Sequence, residues 1–206
     1  MTADSNRITS KPHVVLIHGL AGHWFLMWPL AWQIKKLGFT TSTFGYRSWF
    51  RSIEHHALRF KARLEKLEQD PTVEAIHIVA HSMGSIVTRQ AILDSRFSKL
   101  QRIVMLGPPN QGSPMAKFLG YILPFCKTLR QVSNRSNSFV KRLPEPQSVE
   151  VGIVAAQYDR VIPEPNSHLA NESDHICIFS GHNGLLIRPV AMKQVASFLE
   201  HGKFFR

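Results

Sequence analysis

The sequence predicts an α/β domain in which one sheet of about six mostly parallel strands carries helices on both faces. Three observations predict it. Short β-branched runs alternate with stretches of helical apolar spacing along nearly the whole chain. Strands separated by helices pair in parallel through right-handed crossovers. A length of 206 residues suffices for one sizeable core, so a single domain over 1–206 is expected.

The elements follow in order. "HVVLIHG" (13–19) is a β-branched run ending in glycine, which reads as a buried strand. "WFLMWPLAWQIKKLG" (24–38) has helical spacing and stops at Gly38, and "FTTSTFGY" (39–46) is a second strand. "SIEHHALRFKARLEKLEQD" (52–70) sets Ile53, Ala57, Leu58, Leu64 and Leu67 on one helical face before Pro71. "EAIHIVAHS" (74–82) is a third strand, and the helix "MGSIVTRQAILDS" (83–95) starts directly at its end. "LQRIVMLG" (100–107), "VEVGIVAAQ" (149–157) and "DHICIFS" (174–180) complete the strands. "RPVAMKQVASFLEHG" (188–202) is a closing helix with proline in its first turn. Residues 108–148 are too many for a plain βα connection and predict an excursion over one end of the sheet.

Composition narrows the function classes. Apolar residues make up 44% and charged residues 19%, as in a globular protein. Cys126 and Cys177 are too few for a disulfide scaffold and match no metal-ligand spacing. The polar start "MTADSNRITSKPH" lacks the apolar region of a secretory signal, and no run approaches the ~18 apolar residues of a membrane span. A soluble, cytoplasmic protein is expected, with peripheral contact at an anionic membrane left open. The net charge of +11 fits either a solvated basic surface or attraction to anionic membranes or acidic substrates. Nucleic acid is not expected, because the basic groups "RFKARLEK" and "KTLRQVSNR" are not interleaved with stacking aromatics.

The chemistry centres on Ser82 in "IVAHSMGSIV". A serine attacks a carbonyl only if a base takes its proton and donors hold the oxyanion. A tight strand-to-helix turn projects the hydroxyl and aims a helix N-terminus at the developing charge, and it needs small flanking residues; here these are Ala80 and Gly84. Among eleven histidines, His182 in "SGHNGLL" follows the last strand, where a base is expected; His18, His77, His81 and His175 lie in or beside strands. His81 adjoins Ser82 but points to the opposite side of an extended chain. Asp159 in "AAQYDRVIP" follows the fifth strand and precedes His182, so it is the expected orienting acid. Asp174 is its rival but starts a strand, and Asp94 lies at the far end of a helix. The backbone N–H groups of Met83 and of Leu20, in the loop "HGLAG" (18–22), are the expected oxyanion donors. His18 and Gly19 of that loop are expected beside the substrate.

Taken together, "VVLIHGLAGH", "AHSMGS", "QYDRVIP" and "GHNGLL" resemble the α/β-hydrolase superfamily, and within it small bacterial lipases and esterases whose elbow reads AHSMG. The resemblance runs in order from about residue 13 to 200. "LGPPNQGSPMA" also resembles a TPHxGSxxA segment of those lipases, with Pro109-Asn110 standing where they have Pro-His. The resemblance implies a minimal hydrolase core with a short lid-like insertion and no metal or cofactor, acting on an acyl ester. A thioesterase, amidase or acyltransferase would use the same residues, and a non-catalytic lipid- or partner-binding protein of that fold is the other class.

The excursion holds "FLGYILPFCKTL" (118–129), which is either a rim or lid that offers Phe118 and Ile122 to an acyl chain, or a helix buried on the core. Trp24, Phe25, Trp28 and Trp49 are likewise either pocket lining or core.

Overall fold

The computed structural model describes residues 10–94 and 96–206. The N-terminal stretch read for a leader lies largely outside them, as does Ser95, the expected end of the helix after the third strand. The chain runs through β1 (Lys11–Ile17), α1 (Trp28–Lys36), β2 (Thr40–Phe44), α2 (Ile53–Gln69), β3 (Val73–His81), α3 (Met83–Ile92) and β4 (Leu100–Leu106). An excursion with α4 (Pro114–Ile122), α5 (Lys127–Gln131) and α6 (Phe139–Arg142) follows, then β5 (Glu150–Ala156), β6 (Asp174–Ile178) and α7 (Pro189–His201). The described residues form one six-stranded sheet in the order β2-β1-β3-β4-β5-β6, parallel throughout.

Side-chain alternation assigns the two faces. Val14 and Leu16 of β1 pack with Leu30 and Ile34 of α1 and with Val195 and Phe198 of α7. Val15 and Ile17 point the other way, into a core shared with α2, α3 and the excursion. This is the period-2 rule of a strand buried on both sides. Because β1 leads to β2 on one side and β3 returns to the other, the crossover direction reverses between β1 and β3. In such sheets a crevice opens there, beyond the strand ends.

The helices begin and end for local reasons. Ser52 caps α2 by accepting the His55 N–H, and α7 has Pro189 at its start and ends on Gly202 at φ 69°. On α2 the buried residues are Ile53, His56, Ala57, Phe60, Leu64 and Leu67. Leu58, expected on that face, is 69% exposed. Five residues from Ile53 correspond to about 140° of rotation, so Phe60 takes the place that Leu58 was assigned.

The excursion is tethered by polar contacts. Thr128 Oγ1 bonds the carbonyls of Ser48 and Arg51 at 3.1 and 3.0 Å, and Gln131 accepts the Ile53 N–H. Arg89 of α3, buried, donates to the Leu143 carbonyl at 2.5 Å and to Asn110 Oδ1 at 3.1 Å. Burial pushes its pKa down only to about 10, so it stays cationic at neutral pH. Asn110 Nδ2 donates to the Ser167 carbonyl at 2.6 Å, so this asparagine joins two loops. Among the described residues no helix is long and apolar enough to cross a membrane.

Among the buried histidines, three are held uncharged to well below neutral pH. Burial pushes His56 and His77 down to about 4 and His81 to about 3, against about 6.5 in an unfolded chain. Below pH 6.5 the unfolded chain therefore binds more protons than the folded one. Stability is full above that pH and falls as pH drops towards the folded values, with a slope of about 1.4 kcal/mol per pH unit per histidine. Urea midpoints measured from pH 7 to pH 4.5 are expected to fall steeply. His77→Leu should remove roughly one third of that slope, and an unchanged slope would refute the assignment.

Candidate active site

The three side chains singled out in the sequence lie beyond the carboxyl ends of β3, β5 and β6, at one end of the sheet. Ser82 stands between β3 and α3 with φ 52° and ψ −125°, a conformation that costs a non-glycine residue ~1–3 kcal/mol. Its N–H is anchored to the Leu106 carbonyl at 2.8 Å. The turn is possible because α3 approaches β1 closely: a Cβ on Gly84 would sit 2.6 Å from the His18 carbonyl oxygen and 2.9 Å from that of Ile17. Ala80, two residues before Ser82, is fully buried. Both small flanking residues are thus accounted for by space.

His182 opens a short 3-10 turn after β6, His182–Leu186. Its Nδ1 lies 2.6 Å from Asp159 Oδ2. The other carboxylate oxygen of Asp159 accepts the N–H groups of Val161 and Ile162 at 2.9 and 2.7 Å. An acceptor-only carboxylate requires the proton on Nδ1, which leaves the His182 Nε2 lone pair free to take another. The imidazole rests on Gly107, where a Cβ would meet its Nδ1 at 3.1 Å, and Gly107 has φ 54°. Since Gly107 follows the Leu106 that holds Ser82, the base and the serine share one strand end. Asp174, the rival acid, starts β6 as expected and instead bonds Phe204 N–H and Arg206 at the opposite end of the sheet. His81 is buried, and its ring lies 4.8 Å from that of His182; at a pKa of about 3 it presents a neutral wall to the base.

The loop after β1 packs directly on Ser82. A Cβ on Gly19 would lie 2.8 Å from Ser82 Cβ. His18 is buried, with Nδ1 on the Gly19 carbonyl at 2.8 Å and its ring stacked 4.4 Å from Tyr46. Burial lowers its pKa. It holds the loop in shape from beneath and also lines the cavity beside that loop. Met83, as the first residue of α3, has an N–H that its own helix cannot satisfy. Leu20 sits in the 18–22 turn, whose closing bond runs from Gly22 N–H to the Gly19 carbonyl.

Sequence reasoning missed the supports of this loop. Tyr46 donates its hydroxyl to the His18 carbonyl at 2.7 Å, and Ser48 accepts the Ala21 N–H at 2.9 Å. Both come from the β2–α2 connection, whose polar residues carry no motif. Phe118 and Ile122 of α4 are 62% and 57% exposed, and only Ala116 of that helix is buried. The stretch 118–129 therefore divides: Phe118, Tyr121, Ile122 and Phe125 are exposed, while Cys126 and Leu129 are buried and Leu119 and Leu123 pack against the core. Trp24, Phe25, Trp28 and Trp49 are also exposed and belong to the surface, not the core.

Comparisons with known proteins agree with this architecture. Residues 28–111 match the family described as "Alpha/beta hydrolase of unknown function (DUF900)". The fold is similar to that of the lipase BlEst2 of Bacillus licheniformis in its mature form: TM-score 0.74 at 16% identity, covering 93% of this chain and 91% of that one. It is similar to Aspergillus fumigatus lipase B, with TM-score 0.72 at 12% identity, over 93% of this chain and 53% of that one. The Pyrococcus furiosus esterase Pf2001 gives TM-score 0.67 at 16% identity, over 93% and 83%. No curated protein matches in sequence. The chain has the α/β-hydrolase fold.

Proposed function

We propose that the protein is a serine hydrolase that cleaves carboxylic esters of apolar acyl chains through an acyl-enzyme. The observation that carries the proposal is the 2.6 Å pair of His182 and Asp159 beside a serine held at positive φ on a strand-to-helix turn. In this mechanism Ser82 Oγ attacks the ester carbonyl carbon while His182 Nε2 takes its proton. Asp159 holds the imidazole in place and stabilises its charged form. The carbonyl π electrons move to oxygen, and the N–H groups of Leu20 and Met83 donate hydrogen bonds to the oxyanion. Collapse breaks the bond to the alcohol, which leaves with the proton from His182. Water then attacks the acyl-enzyme by the same steps, with His182 as base and Ser82 as leaving group.

The surface around the site supports an apolar acyl group presented at an anionic surface. Leu119 of α4 and Leu123 just after it pack against the core that Leu20 also touches, which leaves Phe118, Tyr121 and Ile122 outward as a rim. Beside the 18–22 loop a cavity of about 890 Å³ is lined by Trp24, Tyr46 and Trp49 together with Arg47, Arg51 and Arg59. His56 lines it too, buried and with both ring nitrogens unpartnered. Apolar and cationic lining together suits a lipid ester with a negative headgroup. The named lipases and the esterase of similar fold are in keeping with this reading. Thioesters and amides would be attacked by the same groups, so a substrate panel decides among them.

Hydrolysis of p-nitrophenyl esters is the first test. Ser82→Ala is expected to abolish turnover and labelling by a fluorophosphonate, while Asp159→Asn lowers kcat by roughly 10⁴-fold through loss of the correct tautomer. Equal rates for wild type and Ser82→Ala would overturn the proposal and leave the binding-protein class standing. For the rim, the double variant Phe118→Ser, Ile122→Ser should slow long-chain esters by roughly tenfold and leave acetate esters unchanged, since each large apolar contact is worth ~1–3 kcal/mol. A loss that is equal for both chain lengths would refute the rim.

A further inference from the structure

Outside the site, the segment between Asp159 and His182 gathers two histidines and two glutamates. Glu164 lies in a short 3-10 turn, Glu164–Asn166, and His175 on the edge strand β6. His168 and Glu172 lie in the loop between them. The rings of His168 and His175 stack with centroids 3.9 Å apart and planes 14° from parallel. Their Nδ1 atoms approach the same oxygen, Glu172 Oε1, at 2.7 and 3.1 Å. Their Nε2 atoms face another single oxygen, Glu164 Oε1, at 2.8 and 3.5 Å. His175 Nε2 is buried and has no hydrogen-bond partner.

Proton bookkeeping makes this arrangement informative. An ionised carboxylate only accepts, so Glu172 places a proton on both Nδ1 atoms. Each neutral ring then turns its Nε2 lone pair towards Glu164, which also only accepts. A proton on His168 Nε2 would satisfy one of these contacts and leave His175 facing its neighbours with a bare lone pair. A divalent cation between Glu164, His168 and His175 would satisfy all three.

We infer that Glu164, His168 and His175 form a site for a divalent transition metal, Zn²⁺ best, with Glu172 as the outer carboxylate that orients both imidazoles. The donor set of two nitrogens and one oxygen suits Zn²⁺, with the fourth position left to water. A carboxylate on the far ring nitrogen is the usual support of a ligating histidine. The three donor atoms lie within 4.8 Å of one another. Tetrahedral Zn²⁺ separates its ligands by roughly 3.4 Å, so closure asks for movement on the order of 1 Å. This departs from the expectation of no metal that the family resemblance implied, which overlooked E-x3-H-x6-H across a loop and a strand. The bound ion would cross-link the loop that follows Asp159 to the strand that leads to His182.

The test uses the whole chain, stripped with chelator and titrated with Zn²⁺ against a chromophoric competitor, with Co²⁺ absorption as a second readout. One Zn²⁺ per chain is expected, together with a rise in Tm on saturation. His168→Gln and His175→Gln should each weaken binding at least tenfold with unchanged circular dichroism, while Cys177→Ser, which alters the exposed thiol two residues along β6, leaves it unchanged. Glu164→Gln serves where a histidine variant fails to fold, with the same loss expected. Absence of stoichiometric binding would mean that the cluster is a protonated ion-pair network. Binding that survives the histidine variants, or is lost in Cys177→Ser, would equally overturn the site.

Discussion

The approach of α3 to the end of β1 is the contact on which the rest depends. With Gly84 so close to the His18 and Ile17 carbonyls, any larger residue would push the helix away. The helix could then not start directly beneath Ser82, and the serine would relax out of its positive φ. The strain is sustained because everything around it is packed: Ala80, Met83 and Ile86 are all buried in the same core. The N-terminus of α3 stays directly beneath Ser82 only while that packing holds.

Topology explains why the loop after β1 is the one that meets the serine. The reversal of crossover direction between β1 and β3 removes a helix from the space above their ends, and two loops descend into it. Gly19 on one and Ser82 on the other come into contact there. Tyr46 and Ser48, from the connection after β2, then hold the outer side of the first loop by hydrogen bonds. Neither element creates the crevice; the strand order does.

How much of this was legible in the sequence follows from what each part is made of. Strands and helices were readable because burial imposes a period, and period survives in single sequences: Val14 and Leu16 against Val15 and Ile17 is such a case. The positions of Ser82, Asp159 and His182 beyond the ends of β3, β5 and β6 were readable from the strand pattern, and their proposed roles rest on that order. Leu58 was misread because a five-residue step on a helix lies just outside the apolar stripe. The exposure of Trp24, Trp28, Phe118 and Ile122 was not legible, since the same spacing serves a core face and a surface rim. The polar ties made by Tyr46, Ser48 and Asn110 escaped altogether. Their bonds span 28, 27 and 57 residues, and nothing local announces such a partner.

On the proposed mechanism, the serine and its base are held by different physics. Ser82 rests on apolar packing, which is insensitive to pH and salt. Asp159 and His182 sit on irregular backbone held largely by polar contacts: the N–H groups of Val161 and Ile162, Asn166 to the Gly112 carbonyl at 2.7 Å, and the pairing of Glu164 and Glu172 with His168 and His175. Hydrogen bonds and ion pairs fix direction more sharply than apolar contacts do, which suits a base whose ring must keep one orientation. They are also weaker against protonation, and they tolerate sequence change only where both partners change together. A chain that needs an immovable nucleophile and an oriented base therefore has reason to keep the first in the core and the second in a cross-linked polar loop.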